Sequence, residues 1–166
     1  MGVALDMLRS WRAPRAVMRA RLAEGVREDR VLMVLMGACF LIFIAQWPAL
    51  ARAAHLDPDI PLQVRIGGAL FGWMFVAPLM LYGLAGAVWV GLRLGGVVLP
   101  AHAVRLGLFW ALLAAAPVWL LHGLMRGILG TGTATTVAGF VVLGATVGLA
   151  VILLREAALV GRSATP

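Results

Sequence analysis

The sequence predicts an all-α integral membrane protein: four transmembrane helices preceded by a basic amphipathic interfacial segment. Three observations carry this expectation. The chain is 63% hydrophobic with a mean hydropathy of +0.99, whereas a soluble domain runs at roughly 45–50% apolar residues. A soluble domain of this size leaves roughly a third of its unfolded surface in water, so the apolar surplus requires lipid as solvent. The charged residues, 13% of the chain, gather between four long apolar runs. The arginines divide unequally between the two ends of those runs.

The first thirty residues hold Arg9, Arg12, Arg15, Arg19, Arg21, Arg27 and Arg30. From Pro14, a favourable first-turn residue, Met18, Leu22 and Val26 recur every four positions on one face, and Leu5, Leu8 and Trp11 form a shorter stripe upstream. This pattern predicts one or two basic helices over 1–30 lying on an anionic membrane surface, apolar side down. Arg9, Arg12, Arg15, Arg19, Arg21 and Arg27 are the lipid-headgroup candidates. An uncleaved segment is expected, because thirty residues including Glu24, Glu28 and Asp29 precede the first apolar run.

The spans are predicted at about 31–50, 67–92, 105–125 and 135–154, with a connection from Pro48 to Arg65 and a short tail at 157–166. An apolar helix needs about 20 residues to cross roughly 30 Å of hydrocarbon. The runs are too long for barrel strands and lack their alternation. With the N-terminus in the cytoplasm, eleven arginines (Arg9, Arg12, Arg15, Arg19, Arg21, Arg27, Arg30, Arg93, Arg105, Arg155, Arg162) lie inside and three (Arg52, Arg65, Arg126) outside. That is the positive-inside pattern of a bacterial cytoplasmic membrane protein with both ends in the cytoplasm. Trp47, Trp119, Trp89 and Trp110 fall near the interfaces, while Trp73 lies about two turns into its span and fits the aromatic belt less well.

Chemistry is sparse. No Asp, Glu, Lys or Arg occupies the middle of a span, which argues against a pump or ion-coupled transporter. No nucleophile motif or phosphate-cradling loop is present. The lone Cys39 reads as a small buried hydrophobe. His55, Asp57 and Asp59 read as a polar turn before a metal site, and no catalytic, cofactor or metal residue is expected. His122 and Arg126 are the one pair near the outer interface that a lipid-directed enzyme would use. A passive permease, the alternative function, would draw on a cavity near Pro78 and Tyr82, or on Gln46. Pro78 and Pro117 lie inside spans and are expected to kink them. Small pairs four apart (Gly68–Gly72, Gly91–Gly95, Gly123–Gly127 and Gly144–Gly148) are expected to let helices approach closely, with Gly144–Gly148 the candidate face toward a second protein.

One family resemblance covers nearly the whole chain. It rests on Trp11-Arg12-Ala13-Pro14-Arg15-Ala16-Val17-Met18-Arg19, on Ala45-Gln46-Trp47-Pro48, on Gly67-Gly68-Ala69-Leu70-Phe71-Gly72-Trp73, and on Arg105-Leu106-Gly107-Leu108-Phe109-Trp110-Ala111-Leu112-Leu113. Together these resemble small bacterial members of the Yip (Ypt-interacting protein) domain family. The chain departs from that family in lacking an Asp-Leu-Tyr-Gly-Pro-type segment and in having four spans where five are usual. The resemblance implies a non-enzymatic organiser or accessory subunit with membrane lipids, another membrane protein or a second copy as partner. It transfers no GTPase binding and no functional residue, and no nucleic-acid partner is expected.

The arginine distribution yields a direct test of orientation. A cytoplasm-dependent fluorescent reporter is expected to be bright on either end of the chain. A cysteine introduced at Asp59 should react with an impermeant maleimide added from outside. Reporters that disagree between the two ends would refute the four-span topology.

Overall fold

A computed structural model describes residues 3–25 and 27–163, without the side chains of Arg162 and Ser163; Val26 of the N-terminal stripe lies outside the described residues. The described chain is all-helical. Two short helices, α1 (Val3–Arg12) and α2 (Pro14–Ala23), precede α3 (Glu28–Leu56). The second long rod consists of α4 (Leu62–Phe71), a π-helical turn (Gly72–Val76) and α5 (Ala77–Leu94), followed by α6 (Ala101–Leu129) and α7 (Thr133–Ser163). Four segments are long and apolar enough to cross a membrane: Glu28–Leu56, Leu62–Leu94, Ala101–Leu129 and Thr133–Gly161. These are the four expected spans, each extended at both ends.

The extensions have a physical reason. The apolar runs end at the first charge or proline, but a helix does not. Pro48 lies inside α3, and Ala-Leu-Ala-Arg-Ala-Ala beyond it is a strong helix-forming stretch. The expected connection from Pro48 to Arg65 therefore shrinks to Asp57–Pro61. Arg65 closes it with a 2.6 Å ion pair to the Asp57 carboxylate and hydrogen bonds to the Asp57 and Ile60 carbonyls. At the other end α7 runs on to Ser163, where a tail from 157 is expected. The connection after α5 is compact because Gly96 takes φ +78°, which lets the Gly96 and Val97 amides donate to the Arg93 and Leu92 carbonyls.

α6 is the centre. In its most apolar stretch 56% of the residues are buried, against 11% in the second rod and 22% in α7. Between helices in lipid there is no hydrophobic drive, so association rests on close packing and hydrogen bonds. The α3–α6 seam provides both. Leu35, Ala38 and Cys39 meet Ala111 and Ala114 in one buried cluster. Near the end remote from the termini, a Cβ on Gly123 would overlap the Ala45 carbonyl and one on Gly127 would overlap Pro48. α7 attaches to α6 through Leu149 and Leu153 in the same cluster and through Trp119, whose indole N–H donates to the Thr146 hydroxyl at 3.2 Å. α5 attaches through Tyr82, set edge-on to Phe109 with centroids 5.0 Å apart.

The glycine pairs divide. Gly123–Gly127 makes the seam, whereas a Cβ on Gly68, Gly72, Gly144 or Gly148 would meet nothing within 4 Å. Those four glycines do not pack helices within this chain. The prolines divide as well. Pro78 opens α5 just after the π turn, in which the Ala77 amide reaches back to the Gly72 carbonyl, so the wider turn absorbs the missing donor. Pro117 sits within a continuous α6.

Because Gly123 touches backbone rather than a movable side chain, Gly123→Leu forces the two central helices apart. The expected cost is at least that of core overpacking, about 1–3 kcal/mol, seen as a lower melting temperature in detergent. Gly86→Leu, at an open position within α5, should leave the melting temperature at or above that of the parent, since leucine favours the helix over glycine.

Candidate functional site: a polar crevice and a terminal clasp

At the end of the bundle that carries both termini, α1 and α2 fold as a hairpin onto α6 and α7. The apolar stripe of α2 is spent on the bundle: Val17 and Met18 are buried, and the Met18 methyl lies beside Gly107. This corrects the expectation that both stripes rest on lipid, since α2 has a protein partner. The α1 stripe stays open, with Leu5 and Leu8 more than half exposed.

A closed circuit of four residues holds the hairpin. The Trp110 indole donates to the Ser10 hydroxyl at 2.9 Å, and Ser10, fully buried, donates to the Asp6 carbonyl at 2.7 Å. The Asp6 carboxylate accepts from Arg21 at 2.8 Å, and the Arg21 guanidinium returns to cover the Trp110 ring at 4.1 Å. Each polar group that leaves water thereby gains a partner. Trp11 adds a second anchor by donating to the Ala114 carbonyl at 2.9 Å. Ala114 lies in the turn that Pro117 weakens by lacking an N–H for the Leu113 carbonyl, so the indole supports α6 where its own ladder is thinnest. On the α7 side, Glu156 is nearly buried; Arg19 reaches it at 2.7 Å and Arg15 at 4.0 Å. Glu28 and Arg105 pair at 2.8 Å across α3 and α6.

Of the basic residues assigned to the membrane surface, Arg9, Arg12, Arg15, Arg19 and Arg27 are exposed. Arg27 pairs with Asp29. Arg21 differs, turned inward on Asp6 and Trp110 with about a fifth of its side chain exposed.

At the opposite end lies the crevice. A cavity of about 240 Å³ is lined by Gln46 and Ala49 of α3, Trp73 of the π turn, and Trp119, His122 and Arg126 of α6. A second cavity of about 240 Å³ opens beyond His122 and Arg126 toward Thr131, Thr135 and Gly139 at the start of α7. A third of about 150 Å³ runs past Arg126 to Arg52 and Gly130. Arg126 borders all three. Its guanidinium has no hydrogen-bond or ion-pair partner among the described residues, and no acidic residue lines these cavities. His122 Nε2 lies 3.0 Å from the Thr135 carbonyl. A carbonyl only accepts, so Nε2 carries the proton.

The permease expectation placed a cavity near Pro78 and Tyr82. Pro78 is buried, and Tyr82 packs on Phe109 with Arg105 above its ring, so the crevice forms instead around Gln46 and Arg126. The depth of Trp73 was the sequence signal for this: a tryptophan too deep for the aromatic belt lines a cavity, on a π turn of the kind that recurs at functional sites. In the turn His55, Asp57, Asp59, the Asp57 carboxylate is held by Arg65. The circuit of Ser10, Asp6 and Arg21 and the buried Glu156 carried no local signal, because each acquires meaning only from its partner on another helix. No family model matches the chain, and no characterised protein or solved structure is similar to it.

Removing the carboxylate charge that α2 grips is expected to loosen the hairpin without unfolding the spans. In Glu156→Gln, amide exchange over residues 14–23 should accelerate about tenfold, in line with ~1.5 kcal/mol for a hydrogen bond to a charged group. Exchange in α3 and α6 should stay as in the parent.

Proposed function

We propose that this chain is a non-enzymatic accessory or organising subunit of a bacterial cytoplasmic membrane, both ends cytoplasmic, that works by packing against another membrane protein or a second copy of itself. The observation that carries this reading is the second rod. It is barely covered by its own chain, yet Gly67, Gly68, Gly72, Gly83, Gly86 and Gly91 along it are open positions. Glycine in a helix costs about 1 kcal/mol relative to alanine, and a surface meant only for acyl chains gains nothing from it. A surface meant for a close helix neighbour does. Gly144 and Gly148 on α7, flanked by exposed Val141 and Val147, support the same reading on a second helix.

The short connections agree with it. With Asp57–Pro61 as the linker after α3 and Gly130–Gly132 before α7, the chain beyond the four long spans is chiefly the α1–α2 hairpin. Its exposed Arg9, Arg12, Arg15 and Arg19 suit anionic lipid at the cytoplasmic face, worth about 1 kcal/mol per basic residue near such a surface. The Yip-like order of sequence features is consistent with an organiser of this kind.

Site-specific photo-crosslinkers at Gly68 and Gly144 provide the test. They are expected to capture a discrete membrane-protein adduct in intact cells, and Gly72→Leu should reduce the Gly68 adduct at least fivefold at unchanged protein level. Migration as a strict monomer in several mild detergents, with only lipid adducts from both positions, would overturn the proposal.

A further inference from the structure

The crevice around Arg126 is not needed for helix packing, and its chemistry goes beyond the accessory role. We infer that it is a binding site for a phosphate oxyanion, supplied by the headgroup of an anionic phospholipid in the leaflet remote from the chain termini.

Charge comes first. Arg126 and Arg52 flank contiguous cavities that no acidic residue lines. Arg52 is held in place by donating to the Ile128 carbonyl at 3.2 Å, while Arg126 has no protein partner among the described residues. An unspent guanidinium offers five donors in a planar fork that matches a phosphate, and it stays charged at every physiological pH. The start of α7, whose residues Thr135 and Thr136 line the same opening, adds the positive end of a 31-residue helix. Gln46 supplies an amide from α3, and Trp73 and Trp119 provide flat apolar walls.

Depth decides the source of the phosphate. α3 and α6 each have 29 residues, or about 43 Å of helix, against roughly 30 Å of hydrocarbon. A centred helix thus extends by roughly four residues at each end into the headgroup layer. Arg52 and Arg126 lie in those last turns, four and three residues before Leu56 and Leu129. The cations therefore sit at the level of lipid phosphates, above the exposed Leu121 and Leu124 that acyl chains would cover. His122, with Nε2 committed to Thr135, acts as a wall and positioning residue.

The test uses the full chain, purified in mild detergent and stripped of lipid, then titrated with dioleoyl phosphatidylglycerol or dioleoyl phosphatidylcholine. Binding is followed by native mass spectrometry and tryptophan emission. Phosphatidylglycerol should bind at least tenfold more tightly than phosphatidylcholine in the tightest step. Arg126→Gln should weaken that step at least tenfold, removing one retained lipid, while Arg93→Gln at the other end of the bundle leaves it unchanged. Inorganic phosphate at 10 mM, an arbitrary excess of roughly a thousandfold over protein, should neither bind alone nor displace the lipid. Equal affinity for the two lipids, or an unchanged tightest step in Arg126→Gln, overturns the site. Saturable binding of inorganic phosphate without lipid overturns the lipid source. If Arg126→Gln does not fold, Gln46→Ala is read instead, with a severalfold weakening expected and no change counting against the site. Loss of the crosslinked partner leaves this result untouched, so the two proposals fail independently.

Discussion

α1, α3, α5 and α7 all pack on α6, and α6 is held by its contact with α3. That contact depends on the absence of two side chains. At Gly123 the backbone of α6 lies against the Ala45 carbonyl, and at Gly127 it lies against Pro48, with no room for a Cβ at either place. In water such a crossing would be reinforced by apolar burial; in hydrocarbon it is not, and van der Waals contact over the whole seam has to supply the difference. Ala111 and Ala114 of α6, both fully buried beside Leu35, Ala38 and Cys39, continue the same seam toward the middle of the bilayer. Once α3 and α6 are joined, α6 offers Trp110 to α1, Phe109 to α5 and Trp119 to α7.

A second constraint is that polar groups removed from water must find partners within the protein. Indole nitrogens meet it repeatedly: Trp11 on Ala114, Trp89 on the Leu99 carbonyl, Trp110 on Ser10 and Trp119 on Thr146. Three of these bonds join two helices and that of Trp89 ties α5 to the connection after it, so tryptophan acts here as a directional link between segments as well as an interfacial anchor. Ser10 and Thr146 complete their hydroxyls by donating to carbonyls four residues back in their own helices, the local bond that serine and threonine favour in helices. Among the described residues the buried exception is Arg105 Nε, which has no hydrogen-bond partner; Arg126 is instead exposed at the crevice with no protein partner, and for that reason the crevice invites a ligand where the clasp does not.

The spans were legible because solvent preference is written in composition: four runs without central charge admit one solution in lipid. Their ends were less legible. Runs stop at Arg52, Arg93 or Pro48, but arginine stems reach the interface and the proline ring is accommodated where α3 meets Gly127, so the helices go on. The hairpin illustrates a different limit. Met18 and Leu22 were visible as a stripe, but whether a stripe lies on lipid or on protein depends on Gly107 and Leu154, more than eighty residues away in sequence. Of the crevice, Gln46, Trp73, His122 and Arg126 each stood out as an oddity of its own span. Their convergence required the α3–α6 crossing to be known.

The glycine pairs show why spacing alone assigns no partner. Gly68–Gly72, Gly123–Gly127 and Gly144–Gly148 share one period, so each presents a groove on a helix face. What separates them is the complement. Gly123–Gly127 faces Ala45, Pro48 and Ala49, a ridge with little side chain to intrude, and the groove closes on it. Gly68–Gly72 is bordered by Phe71 and Phe75, stacked 5.5 Å apart and largely exposed, and no helix of this chain fills it. That groove, flanked by exposed aromatic rings on a rod with little cover, is open to the proposed neighbour. Of these three pairs the chain uses one to hold itself together and leaves two open, as the proposed packing role requires.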